Sequence, residues 1–189
     1  IVGSETFNGS LFLLPKDCRL TELTLEGISN IQGDFQCKDY FYVKEFVMPF
    51  IRVAGNMTIA LNSGSVNTEA EIEFPNLLEI GGTLTLENNK NANNITFPSL
   101  KKILGSCSVT TSHLKNDIEF TNLESIGTDG ANAQIKFEID GTNILCPKLK
   151  TINGKFDITT STVIFDMEAD QVSYPNVESI SENLSITCP

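Results

Sequence analysis

The chain has 189 residues and a formal charge of -11, with thirteen Lys and Arg against twenty-four Asp and Glu. That balance argues against a nucleic-acid partner, which needs clustered cations to displace phosphate counterions, and against docking on anionic lipid through a basic patch. No run reaches the apolar length of a membrane span, so direct membrane insertion by this segment is not expected.

A single phrase then recurs in chain order: aromatic, Pro, x, Leu, x, x, Ile, x, Gly, x, apolar, x, apolar. Phe7, Gly9, Leu11 and Leu13 look like a truncated first half, and Leu25, Ile28, Ile31, Gly33, Phe35 and Cys37 keep the register without Pro. Residues 1–37 therefore read as an N-terminal cap and first coil, and 38–189 as further coils of a single solenoid domain covering 1–189. Met48-Pro49 opens a copy one residue shorter between Pro and Gly55. The full phrase follows at Phe74-Pro75-Asn76-Leu77 with Ile80, Gly82, Leu84 and Leu86, and at Phe97-Pro98-Ser99-Leu100 with Ile103, Gly105, Cys107 and Val109. Phe120-Thr121 begins a copy with Thr in place of Pro and an insertion, Thr128 to Gln134, before Ile135. Cys146-Pro147 restores the phrase, and Tyr174-Pro175 closes the series with Glu182 at the Gly slot. The prolines at 49, 75, 98, 147 and 175 are 26, 23, 49 and 28 residues apart, 49 being two turns. A fixed register at a fixed period is the mark of a stacked solenoid.

Within each unit, Gly-x-apolar-x-apolar alternates with the period of a strand buried on one face, so Leu84 and Leu86 point inward and Thr83 and Thr85 outward. A second alternating run precedes each Pro, as in Glu71-Ile72-Glu73-Phe74, and Pro ends it by removing a ladder donor. The Leu and Ile three residues apart suit a helical or 3₁₀ turn. The expected fold is all-β: a right-handed parallel β-helix of about seven coils of 23–28 residues. Each coil should carry two strands, an inner aliphatic column, and a second column of Phe74, Phe97, Phe120 and Tyr174. The Asn-rich stretch 88–94 is expected to turn the chain and bond its own backbone locally.

Four Asn-x-Ser/Thr sequons, at Asn8, Asn56, Asn94 and Asn183, point to an N-glycosylated, extracellular chain. Cys18 and Cys37 bracket the first coil, where a disulfide would staple a lid over the core. Cys107 and Cys146 occupy slots used elsewhere by Leu or Phe and read as small hydrophobes. Cys188 has no assigned partner.

Few residues invite a chemical role. His113 lies in a polar loop with no nucleophile motif around it, and the five cysteines are too scattered for a zinc site. Glu69, Glu71 and Glu73 alternate along one strand, as do Asp166, Glu168 and Asp170, where a weak Ca²⁺ could sit; solvated faces account for both sets. No catalytic residue, metal or cofactor is expected. The candidate binding face is the outward row of the Gly-adjacent sheet, which by register holds Thr58, Thr85, Ser108, Asp157 and Ser185. Hydroxyls that keep that face wet are the plainer explanation. Tyr40, Phe41, Tyr42 and Phe46 form the densest aromatic patch and read as packing over the first coils.

The phrase Phe-Pro-x-Leu-x-x-Ile-x-Gly-x-Leu-x-Leu, together with Ile28-Ser29-Asn30-Ile31-Gln32-Gly33-Asp34-Phe35, resembles the receptor L-domain group of leucine-rich-repeat-like β-helices. Within it the chain is most similar to the fungal glycosylphosphatidylinositol-anchored cell-wall-organisation and spore-wall glycoproteins. The likeness implies a non-enzymatic glycoprotein of the cell wall or outer membrane face, held by an anchor not present in this chain. It would act as a scaffold for wall integrity or spore-wall assembly, with wall components or another surface protein as partner. A receptor L-domain-type ectodomain that binds a protein ligand is the alternative, and a polysaccharide-active enzyme a distant third.

Overall fold

A computed structural model describes residues 5–14, 21–39, 42, 44–61, 70–89, 92–112, 114, 116–129, 133–140, 144–160, 179–180 and 184–187. They form a parallel β-solenoid with three faces. One eight-stranded sheet runs Leu11–Leu13, Phe35–Lys38, Met57–Ala60, Leu84–Glu87, Cys107–Ser112, Ala133–Asp140, Gly154–Thr160, Leu184–Thr187, in spatial as in chain order. This long-strand sheet holds the Gly-adjacent runs. A six-stranded sheet holds the runs before the prolines, from Glu22–Thr24 through Glu45–Val47, Ala70–Glu73, Ala92–Thr96 and Ile118–Glu119 to Ile144–Leu145.

The third face departs from the expected helical turn. Leu77 N–H donates to the Phe74 carbonyl at 3.4 Å, and the same turn recurs at Leu100, Leu123 and Leu149 with 3.2–3.3 Å bonds. The chain then straightens at once into two-residue strands such as Glu79–Ile80, Lys102–Ile103 and Ser125–Ile126. With Arg52–Val53 and others these build a second eight-stranded sheet, the short-strand sheet. A coil therefore carries three strands rather than two. Leu and Ile three apart satisfy a turn followed by a strand as well as they satisfy a helix, because both place the two side chains inward. Six coils carry all three strands among the described residues, with a two-strand partial coil at either end, a slight difference from the expected seven.

Every strand pairing is parallel and holds apolar residues in columns, as Leu84 with Met57 and Cys107 shows. Leu77, Ile80, Leu84 and Leu86 of one coil are fully buried, as are Leu100, Ile103, Cys107 and Val109 of the next. The aromatic column is present: Phe74 and Phe97 stack with centroids 5.1 Å apart, and Phe97 and Phe120 at 5.0 Å. Tyr174, its expected last member, lies outside the described residues. Phe46 is buried against Phe74, the packing role expected of the aromatic patch, whereas Tyr40 and Phe41 fall outside the described residues.

The glycine corners show why that slot is small. Gly33, Gly55, Gly82 and Gly105 stack directly, each N–H donating at 2.9–3.0 Å to the glycine carbonyl one coil back, from Gly9 onward. Beside them runs a side-chain ladder: Ser10 Oγ accepts from Asp34 N–H, Asp34 Oδ1 from Asn56 N–H, and Asn56 Oδ1 from Thr83 N–H, at 2.7–2.9 Å. Ser106 Oγ continues it to Gln134 N–H. The last two residues of the insertion, Ala133 and Gln134, already belong to the next long strand, Ala133–Asp140, and pair with Gly154 and Lys155.

Candidate interaction face

The residues expected to share an outward row do share it. Gln36, Thr58, Thr85 and Ser108 lie side by side on successive rungs of the long-strand sheet, and the backbone register carries the row on through Lys136 and Asp157 to Ser185. Phe12 precedes Gln36 in the same row and is 54% exposed. Gln36, Lys136 and Phe12 had escaped the sequence reading, because their coils lack the Pro phrase or hold the insertion that blurs register. Thr58, Thr85 and Ser108 are half-buried by their neighbours along the row.

A second outward row is tied across a coil. Lys38 Nζ reaches Glu87 Oε1 at 3.1 Å, passing over the small Ala60 that pairs with Lys38. Being about one-third exposed on both sides, this pair contributes a modest share of stability, on the order of 1 kcal/mol or less.

Of the sequon asparagines, Asn8 and Asn56 are exposed. Asn56 spends only its carbonyl oxygen on the ladder, and its Nδ2 makes no hydrogen bond among the described residues. Asn94 is differently placed, its Nδ2 donating to Glu71 Oε2 at 2.6 Å and its Oδ1 accepting from Asn116. Asn183 and His113 lie outside the described residues, as do Glu69, Asp166, Glu168, Asp170 and Cys188.

The Asn-rich segment does more than turn locally. Asn88 takes a left-handed φ of 53°, as a turn residue should. Asn89, though, is buried and spans to the previous coil: Oδ1 accepts from Leu61 N–H at 2.9 Å and Nδ2 donates to Ile59 O at 3.0 Å. Asn93 and Asn94 likewise reach Glu71 of the neighbouring coil. Inter-coil bonding replaces the local bonding expected, because stacking presents a backbone edge at a constant distance. Asn89→Ala leaves one buried donor and one buried acceptor unmet, and we expect it to cost about 2–4 kcal/mol in chemical denaturation.

The expected Cys18–Cys37 disulfide is not formed: Cys37 is a free thiol, and Cys18 lies outside the described residues. Cys37 occupies an inward slot between Leu13 and Ile59, where a thiol serves as a small apolar side chain. Cys107 and Cys146 are free and buried too. Burial pushes the Cys107 thiol up to about 12 and raises Cys37 further. Cys146 is raised first by burial and then by Cys107. All three stay protonated and unreactive at neutral pH. Comparison with family models, with curated proteins and with solved structures finds no match for the chain.

Proposed function

We propose that the chain is a non-enzymatic surface glycoprotein that works as a rigid scaffold, in the manner of the receptor L-domain-like cell-wall and spore-wall glycoproteins its repeat resembles. The observation that carries this reading is Asn56. Its carbonyl oxygen is a rung of the corner ladder while its amide nitrogen has no partner among the described residues, so a glycan there adds to the outside without breaking the stack. Continuous hydrogen bonding along three sheets supports the rigid role, since each coil is braced by both neighbours. Extracellular placement, in a wall or on the outer membrane face, follows from the same reading, with wall components or another surface protein as partner.

Secretion from a eukaryotic host tests it. The protein should lose mass on treatment with peptide N-glycosidase, and Asn56→Gln should remove one glycan while leaving secretion intact. A secreted chain that carries no glycan at any sequon overturns the reading.

The second reading, an ectodomain that binds a protein ligand, is favoured by Phe12, a large exposed apolar ring in line with Gln36 and Thr58. Such a receptor would lose partner affinity on Phe12→Ala or Thr85→Lys, whereas a scaffold tolerates both.

A further inference from the structure

The two remaining faces of the solenoid differ in charge, the six-stranded sheet presenting a row of carboxylates and one stretch of the short-strand sheet presenting lysines. On the six-stranded sheet, Glu22, Glu45 and Glu71 lie side by side on three consecutive rungs, and Glu73 stands beside Val47 in the parallel row. Rungs are about 4.8 Å apart, and like charges directly opposite in a sheet repel. Glu71 is held by Asn93 and Asn94, but Glu22, Glu45 and Glu73 have no ion-pair partner among the described residues. These carboxylates rim a cleft of about 580 Å³ that also takes in Lys44 and Thr21, with Val47 supplying an apolar side chain. No three acidic, His or Cys side chains converge as metal ligands among the described residues, so this is a spread field rather than a point site.

The short-strand sheet is the complement. Ile51 and Leu78 stack on adjacent rungs, joined by a 2.8 Å backbone bond, and are 38% and 43% exposed. Lys101 and Lys102 follow on the next rung, and Lys150 comes two rungs later beyond Glu124. All three lysines are exposed and without an ion-pair partner among the described residues. Arg52 is already paired with Glu79 at 2.8 Å. An apolar knob bordered by Lys101 and Lys102 thus sits on one face, and a cleft holding Val47, rimmed by Glu22, Glu45, Glu71 and Glu73 with Lys44 beside them, sits on another.

We propose that the chain binds a second copy of itself through these faces, the Ile51–Leu78 knob of one copy seated in the Glu22–Glu45–Glu73 cleft of the next. The contact is heterologous, since different patches meet, and it can propagate to a lateral row instead of closing as a two-fold dimer. Net charge of -11 opposes approach at long range, but at about 0.15 M salt the screening length is about 8 Å, so local complementarity governs the contact. The proposal stands on the faces alone and does not require that the chain be glycosylated.

Analytical ultracentrifugation of the full chain made in a bacterial cytoplasm, without glycans, tests it apart from the scaffold reading. At about 0.15 M salt the weight-average mass should climb with concentration, and near 1 M salt, where the screening length is about 3 Å, it should return to monomer. Lys101→Glu with Lys102→Glu, and separately Glu45→Lys with Glu73→Lys, should each weaken association at least tenfold, about 1.4 kcal/mol. Mixing the two variants should restore it, because each retains the face the other needs. A wild-type chain that stays monomeric up to about 0.5 mM, well above the affinity of a weak specific interface, overturns the proposal. So does association that survives high salt, or a mixture that stays dissociated while both variants keep their native circular dichroism.

Discussion

Phe97→Ala should lower the unfolding free energy by about 3–5 kcal/mol, the range for emptying a fully buried aromatic site. Phe97 is fully buried and stacks on Phe74 with an interplanar angle of 3° and on Phe120 with 9°, so its removal breaks the column on both sides. Neighbouring coils cannot close the gap, because the backbone ladders on three faces hold the rungs at their spacing. Phe97→Leu keeps most of the volume and forfeits the two ring contacts, each worth about 0.5–1.5 kcal/mol. It should therefore fall between wild type and the alanine variant. Urea denaturation followed by circular dichroism reads all three; an alanine variant within about 0.5 kcal/mol of wild type, a difference typical of surface changes, would sink the column as a principal source of stability.

Gly105→Ala is the second large effect. A Cβ there would stand 2.7 Å from the Gly82 carbonyl carbon, 2.8 Å from its oxygen and 3.0 Å from Thr83 N. Every one of those atoms is backbone, and the 3.0 Å bond from Gly105 N–H to Gly82 O pins the two coils together. No side chain can swing aside, so the coils must part, at a cost of about 3 kcal/mol. Gly9→Ala is the matched control. It is the first of the glycine row among the described residues, and among them its Cβ would meet only Phe7 Cε1 at an ordinary 3.5 Å. That change should be silent within about 0.5 kcal/mol. Equal losses at the two positions would mean that backbone entropy, and not contact between coils, explains the glycines.

Legibility followed periodicity. Leu84, Leu86, Phe74, Phe97 and Phe120 were assigned to buried columns because strand alternation and the repeat length agree on them, and each is buried. Thr58, Thr85 and Ser108 fell on one row for the same reason. What failed lay where the repeat was silent or ambiguous. Glu79–Ile80 is too short a strand to show alternation, so the third sheet went unseen. Asn89 gave a turn signal in sequence, yet its partners are Ile59 and Leu61, a whole coil away. Cys37 was paired with Cys18 by its place in the chain, whereas its side chain points into the aliphatic column.

That this chain stacks as a parallel solenoid can be read from its residues alone, because a repeated apolar register has one economical way to be buried, against its own copies. Which surface groups meet depends on the stacking of one coil on the next. The Ser10–Asp34–Asn56 ladder, the reach of Lys38 over Ala60 to Glu87, and the gathering of Glu22, Glu45 and Glu73 around one cleft all join residues from different coils. Their spacing depends on how many residues each loop inserts between rungs, and only the folded stack brings those unequal lengths into one register.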